Sequence, residues 1–347
     1  MKKPILVSLV WLFFAAAPAL FGDYMMHTLI LILYFAFVSQ AWNIMSGFSG
    51  QFSFGHAAFY GVGAYTSSIL LTKFGLSPWL GMLAGAVLAI LIGLMIGFLS
   101  FRYNLKGSYF ALATLAFSEI LRIIVQNTEY LNKTLGILIP LEPKPSMFQF
   151  ESSSGYYYVI FAFVTLITLF VYKMSRSRLG FNLIAIRENE NAAQSLGVNT
   201  YRNKMLAIAL SAGLTAIGGT FYAQYLLFIE PPTAFGNSTS INILLPAIIG
   251  GAGTVLGPIV GSFLTVPLSE ITSAYLGHFP GVHLIVYGII VILVMLFLPE
   301  GLVGWVENRI QRHKAKKLRD GVTAAATTEM EVRNHVILEN NRSYEKV

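Results

Sequence analysis

A chain of 347 residues that is 55% hydrophobic and only 11% charged lies far from a soluble domain, where about a quarter of residues are charged. The complete lack of cysteine excludes disulfides, Cys-ligated zinc, iron–sulfur clusters and Cys nucleophiles. The net charge of +7 could suit nucleic acid, but no basic patch is interleaved with base-stacking aromatics. In a membrane chain, basic residues collect on cytoplasmic loops instead, so no nucleic-acid partner is expected.

Apolar runs fall at 5–21, 26–46, 51–72, 78–100, 107–126, 156–174, 205–228, 241–276 and 282–298. Most approach the ~20 residues that cross a bilayer core. The first follows Lys2 and Lys3 and contains Ala15, Ala17 and Pro18. A cleaved signal peptide is its competing reading, disfavoured because no clear small-residue cleavage site precedes Asp23.

Gly81, Gly85, Ala89, Gly93 and Gly97 recur every four residues along the fourth run, and Gly253, Gly257 and Gly261 do the same later. That spacing lets helices approach closely in lipid. Residues 127–155 read as an outer loop. The run 241–276 would be ~54 Å long as one helix, so a hinge at Gly250, Gly251, Gly253, Gly257 and Pro258 is expected to divide it into two short spans.

The fold class is therefore an all-α membrane protein of about ten transmembrane helices, two of them Gly-rich and open to breaking. With ten spans, 19 of the 23 Lys and Arg fall on the N-terminal side of the membrane, which the positive-inside rule makes the cytoplasm. Both termini are then cytoplasmic. The transmembrane domain is expected over 1–302, with a cytoplasmic loop at 175–204. A basic, then polar and loose tail follows over 303–347.

Two Gly-rich segments occupy matching places in the two five-span halves: Gly47–Tyr65 and Leu245–Pro258. Interrupted spans in such positions point to a transport pathway. Polar groups at membrane depth are costly and usually functional. Gln51, Ser53 and His56 on the third span, and Glu119 and Arg122 at i, i+3 on another, are the candidates for the pathway. The competing reading makes the first three helix–helix glue and the last two a structural ion pair. Gly47-Phe-Ser49-Gly50 matches intramembrane serine proteases, but His278 and His283 lie across the bilayer from Ser49, and His56 is two helical turns away. An intramembrane enzyme is not expected.

The chain has no Gly-x-x-x-x-Gly-Lys-Ser/Thr phosphate cradle. Active transport would draw on an ion gradient or a separate ATPase. Within 183–197, Leu183, Ile186, Ala193 and Leu196 continue a helical stripe from Leu179, with Gly197 as the stop. One short helix is expected there, lying on lipid or docking into a protein groove.

Glu190-x-Ala192-Ala193-x-x-x-Gly197 resembles the Glu-Ala-Ala loop of bacterial ATP-binding-cassette importer permeases, with one residue inserted after the Glu. Gly47–Tyr65, Lys106–Arg122, Gly250-Gly-Ala-Gly-x-x-x-Gly-Pro258 and Leu298-Pro-Glu-Gly-Leu302 resemble, in this order, the permease of branched-chain amino acid importers (LivM type). The likeness runs from about residue 40 to 302. A single Gly in Thr128–Ile137 departs from the Gly-rich outer loop common in that family.

The resemblance implies importer architecture in a bacterial inner membrane. It implies a second homologous permease, two cytoplasmic ATP-binding subunits, a periplasmic solute-binding protein and surrounding lipid as partners. It also implies no cofactor and no catalysis by this chain. The coupling loop would use Arg187, Glu188, Glu190, Ala192, Ala193 and Gly197. Leu, Ile and Val are the expected substrates, with urea, amides or other amino acids as alternatives. An ion-coupled carrier working alone is the reading from another class.

Overall fold

The computed structural model describes residues 14, 17–20, 22–276, 285–286, 288–289, 292, 296, 301–305 and 309. The expected spans at 5–21 and 282–298 are described at scattered positions only. His278, His283 and the tail from 310 lie outside the described residues. The chain divides into two units, Met1–Val303 and Gly304–Val347, and the helices that follow belong to the first.

Helix α1 (Asp23–Trp42) runs on as a π-helical turn over Asn43–Gly47 and is buried almost all round beyond its exposed first turn. After it come α2 (His56–Phe74), α3 (Pro78–Arg102), α4 (Ser108–Asn127), α5 (Ser153–Ser175), α6 (Arg178–Glu188), α7 (Glu190–Ser195) and α8 (Thr200–Leu226). The short α9 (Pro231–Ala234), α10 (Asn237–Gly250) and α11 (Gly257–Leu276) follow, and a single helical turn at Ala17–Leu20 precedes α1. Asp23–Gly47, α3, α4, α5 and α8 are each long and apolar enough to cross a membrane. Strands β1 (Ile137–Leu138) and β2 (Phe228–Ile229) pair antiparallel, Ile137 opposite Ile229, and tie the 127–155 loop to the end of α8.

Local chemistry sets the ends. Pro78 opens α3, where its missing amide costs nothing. Ser152, Ser177, Asn189 and Asn199 cap α5, α6, α7 and α8 by accepting from backbone amides in the first turn.

Helices α2, α3 and α8 pack through glycines. A Cβ on Gly81 would fall 2.8 Å from the Ser67 Cα, and one on Gly93 2.9 Å from the Ala212 Cβ. On Gly63 and Gly219 it would strike the carbonyls of Ala216 and Tyr60. The small-residue stripe thus works as close-approach surface.

The structure corrects three boundaries. The run 241–276 does break at its glycines, but its first part is α10, 14 residues long. At ~1.5 Å per residue that is too short to cross a bilayer core. The third span begins only at His56, which leaves Gln51 and Ser53 on irregular backbone rather than on a helix. The single helix expected over 183–197 is two, because Asn189 leaves helical geometry (φ −159°, ψ 106°) to cap α7.

Candidate functional site

The end of α1 and the α10–α11 break lie side by side. Buried Asn43 donates from Nδ2 to the Thr254 carbonyl at 2.9 Å and accepts from the Gly253 amide at 2.7 Å. Gln40 Nε2 donates to the Val255 carbonyl at 3.0 Å. Irregular backbone at membrane depth survives only where protein satisfies it, and these two side chains do so across the interface. The approach is close because the residues are glycines. A Cβ on Gly47 would sit 2.5 Å from the Gly253 nitrogen, and one on Gly301 2.5 Å from the Gly251 nitrogen. Within the second break, a Cβ on Gly250 would strike the Gly257 carbonyl, and Gly251 and Gly253 hold positive φ (+120° and +80°). Three separated sequence motifs therefore converge on one place.

Gln51, Ser53 and His56 are buried in the first break. His56 Nδ1 lies 3.0 Å from Ser53 Oγ, and its Nε2 lies 2.7 Å from Ser211 Oγ, which donates to the Ala41 carbonyl at 2.7 Å. The hydrogen bonds join α1, α2 and α8. Ser49 Oγ donates to the Met45 carbonyl at 2.5 Å, so Ser49 and His56 are engaged with different partners and form no nucleophile–base pair. Gln51 Oε1 is buried without a hydrogen-bond partner among the described residues.

The alternate residues of the same segment point the other way. Phe52 and Phe54, with Ala111, Leu112, Leu115 and Ile241, line an apolar cavity of about 560 Å³ between α4 and the start of α10. The sequence reading passed over both phenylalanines. Their only signal is the alternation of aromatic and polar residues from Gln51 to His56.

Helix α4 borders that cavity and buries few residues: Phe110, Ala111, Thr114, Ser118 and Val125. Glu119 and Arg122 form the expected ion pair on it, and Arg122 Nη1 also donates to Gln126 Oε1 at 3.0 Å. The pair is part exposed, 39% for Glu119 and 27% for Arg122. It lies past the middle of a 20-residue helix, on a face that the described residues leave part open.

The loop at 175–204 separates its residues by role. Glu190 turns inward. It accepts from Lys204 at 2.5 Å and pairs with Lys106 at 3.3 Å. Lys204 is itself buried and stands 4.8 Å over the Phe101 ring. Burial alone would raise the Glu190 carboxyl, but hydrogen bonds and charge from Lys204 and Lys106 outweigh it and hold the group below its ordinary value. Ala193 is buried, and Arg187 reaches the Gly47 carbonyl at 3.1 Å. Glu188, Ala192 and Gly197 are exposed.

Gly197 stops α7 as expected. With φ +85°, it lets its own amide reach the Gln194 carbonyl and the Val198 amide reach the Ala193 carbonyl. Leu196 does not continue the buried stripe and is 86% exposed, because the break at Asn189 shifts the phase of α7 relative to α6.

Interrupted spans that meet beneath a fastened helical loop define a helical membrane protein of transporter type. The chain belongs to the family described as branched-chain amino acid transport system / permease component, whose model matches residues 24–295. It is 30% identical over 286 residues to the high-affinity branched-chain amino acid transport system permease protein LivM of Escherichia coli K12, covering 75% of this chain and 65% of that relative. LivM of Salmonella typhimurium is 28% identical over 324 residues, covering 86% of this chain and 73% of the relative. A probable branched-chain amino acid transport permease protein LivH of Methanocaldococcus jannaschii is 26% identical, covering 75% and 85%. No solved structure matches the chain.

Proposed function

We propose that this chain is the membrane-spanning permease of an ATP-binding-cassette importer in a bacterial inner membrane, and that it moves leucine, isoleucine and valine. The observation that carries the reading is the outer face of α6–α7. There Leu196 stands clear of the bundle, while Glu190, two turns of chain earlier, is pinned beneath. An exposed leucine on a rigidly anchored helical element suits insertion into an apolar groove of a partner. Two ATP-binding subunits would be those partners, one on this loop and one on the loop of a second permease.

The second permease would cover α4. An exposed Glu–Arg pair at mid-helix is expensive against lipid tails and suits a protein interface or a wet pathway. The apolar cavity beside it would pass the substrate side chains. A periplasmic solute-binding protein would deliver substrate at 127–155. Both ends would lie in the cytoplasm whether α10 and α11 cross or form a re-entrant pair: the paired β1 and β2 both derive from outer loops, and the loop at 175–204 touches Gly47, also assigned to the inside.

The test is purification from native membranes through a tag on the tail, with Leu196→Asp alongside. Glu190 faces inward, so a change there would test folding rather than docking. Recovery of two ATP-binding subunits and a second permease with the native chain, and loss of the ATP-binding subunits with Leu196→Asp, is the expected result. A folded chain that comes out alone after cross-linking in the membrane, with uptake abolished by an uncoupler, would instead establish an ion-coupled carrier.

A further inference from the structure

The loop α6–α7 is fastened at two points on either side of Asn189, and the two fastenings go to different helices. Glu190 ties it to Lys204 at the start of α8 and to Lys106 before α4. Arg187 ties it to the breaks. Its Nη1 donates to the Gly47 carbonyl, whose normal i+4 amide, on Gln51, lies beyond the helix end. A Cβ on Gly50, where φ is +70°, would sit 2.8 Å from the Arg187 Cγ, and one on Gly253 would collide with Nη1. Glu188 holds the other edge of the guanidinium, at 3.2 Å to Nε and 2.9 Å to Nη2. The side chain is therefore seated on both interrupted spans at once.

Resting on the importer reading, we propose that Arg187 is the positioning residue that carries movement of the cytoplasmic loop into the two backbone breaks, and that it does not itself dock the ATP-binding subunit. Packed helices transmit displacement as rigid bodies, whereas non-helical backbone absorbs it in a few torsions. A loop displaced from outside has α2, α3 and α8, locked by glycine contacts, on one fastening. On the other it has Gly47, Gly50 and Gly253. The second set is the one that can change shape, and the guanidinium grips it. Lysine in place of Arg187 keeps the charge and the bond to one carbonyl but loses the flat contact with Gly253.

Because the chain has no cysteine, Arg187→Cys places a single addressable thiol in it, at a side chain that is 35% exposed. The assembled importer is reconstituted with its binding protein. ATP hydrolysis and uptake of labelled leucine are measured together, with the native complex treated identically as baseline. The Arg187→Cys complex is expected to retain its ATP-binding subunits and to hydrolyse ATP. Its uptake per ATP is expected to fall about tenfold, the change that ~1.4 kcal/mol in a rate-determining barrier gives. Methanethiosulfonate ethylammonium, which restores a cation, should recover part of the uptake, and the anionic sulfonatoethyl reagent should recover none.

Gly50→Ala, which presses on the Arg187 stem, should lower the same ratio, and its loss should not add to that of Arg187→Cys. Should the cysteine complex fail to assemble, Arg187→Lys serves, with an intermediate ratio expected. Unchanged uptake per ATP, additive losses, or recovery by either reagent regardless of charge would overturn the proposal. Selective loss of the ATP-binding subunits from a folded Arg187→Cys chain would make Arg187 a docking residue and overturn it as well. If the native chain recovers no ATP-binding subunit, the importer reading fails first, and this proposal with it.

Discussion

The two interrupted spans face the same problem and solve it differently. Around 43–57, side chains supply the missing partners. Trp42 Nε1 donates to the Ser53 carbonyl at 2.9 Å, and Ser46 Oγ donates to the Gln51 carbonyl at 3.0 Å. Thr114 Oγ1 accepts from the Phe54 amide at 3.2 Å, and Ser240 Oγ accepts from the Ala57 amide at 3.0 Å. Around 246–257 the helix is opened by Pro246, which removes a helical hydrogen bond. The partners come from Asn43 and Gln40 on α1 and from Thr254, whose Oγ1 donates to the Gly251 carbonyl at 2.8 Å and accepts from the Gly257 amide at 3.0 Å, while Gly250, Gly251, Gly253 and Gly257 let the backbones close up. The first break is a network whose loss is graded. The second adds to its side-chain bonds a backbone-to-backbone fit within the α10–α11 hairpin that one methyl group spoils.

That difference orders the expected effects of mutation. Gly250→Ala should be the most damaging, because its Cβ falls on the backbone carbonyl of Gly257, which no side-chain rotation can move away. A cost of about 4 kcal/mol or more is expected, read as loss of a monodisperse peak after detergent extraction. A native-like yield would mean that the α10–α11 hairpin is looser than described.

Asn43→Ala removes the buried α1 side chain that bonds the second break to the end of α1, orphaning the Gly253 amide and the Thr254 carbonyl. About 3 kcal/mol is expected, seen as a lowered midpoint of thermal unfolding in detergent. Trp42→Phe keeps most of the ring packing and loses one hydrogen bond of the first network. A cost of about 1 kcal/mol is expected, with Asn43→Ala clearly worse in the same assay. Equal losses for the two variants would erase the distinction between the breaks.

The smallest effect concerns the loop laid over them. Because the Glu190 carboxyl is held below its ordinary value, its pairing with Lys204 and Lys106 stabilises the fold above that value. The contribution is lost as pH falls through the lower, folded value. Thermal midpoints followed from neutral pH to below about 4 should drop more for the native chain than for Glu190→Gln. Parallel curves would show that the ion pairs contribute nothing measurable.

Much of this was legible in the sequence for definite reasons. Apolar runs near bilayer length fix spans without knowledge of neighbours, and α3, α4, α5 and α8 fall close to where hydropathy puts them. The glycines of both breaks stood out because glycine and proline are poor helix formers wherever they occur. Roles on the 175–204 loop were harder to see. Leu196 fitted the apolar helical stripe drawn through 183–197 and Glu190 the coupling motif, but the structure turns Leu196 outward and Glu190 inward. Lys204 could not be distinguished from the other basic residues of the inner loop, although it is buried beneath Glu190. Asn43 was hidden inside a span whose hydropathy tolerated it.

By itself the sequence determined that the chain lives in a membrane, how its long helices divide, where its backbone can break, and which family it resembles. Those properties follow from composition and short-range spacing, which act through solvent transfer and local torsions. Only the tertiary structure decided that residues 47–50, 250–257 and 301 meet, and that Phe52 and Phe54 rather than Gln51 and Ser53 line the cavity. It alone put Arg187 across both breaks. Such pairings join residues up to about two hundred positions apart. They depend on which helix faces pack together, which no local pattern encodes.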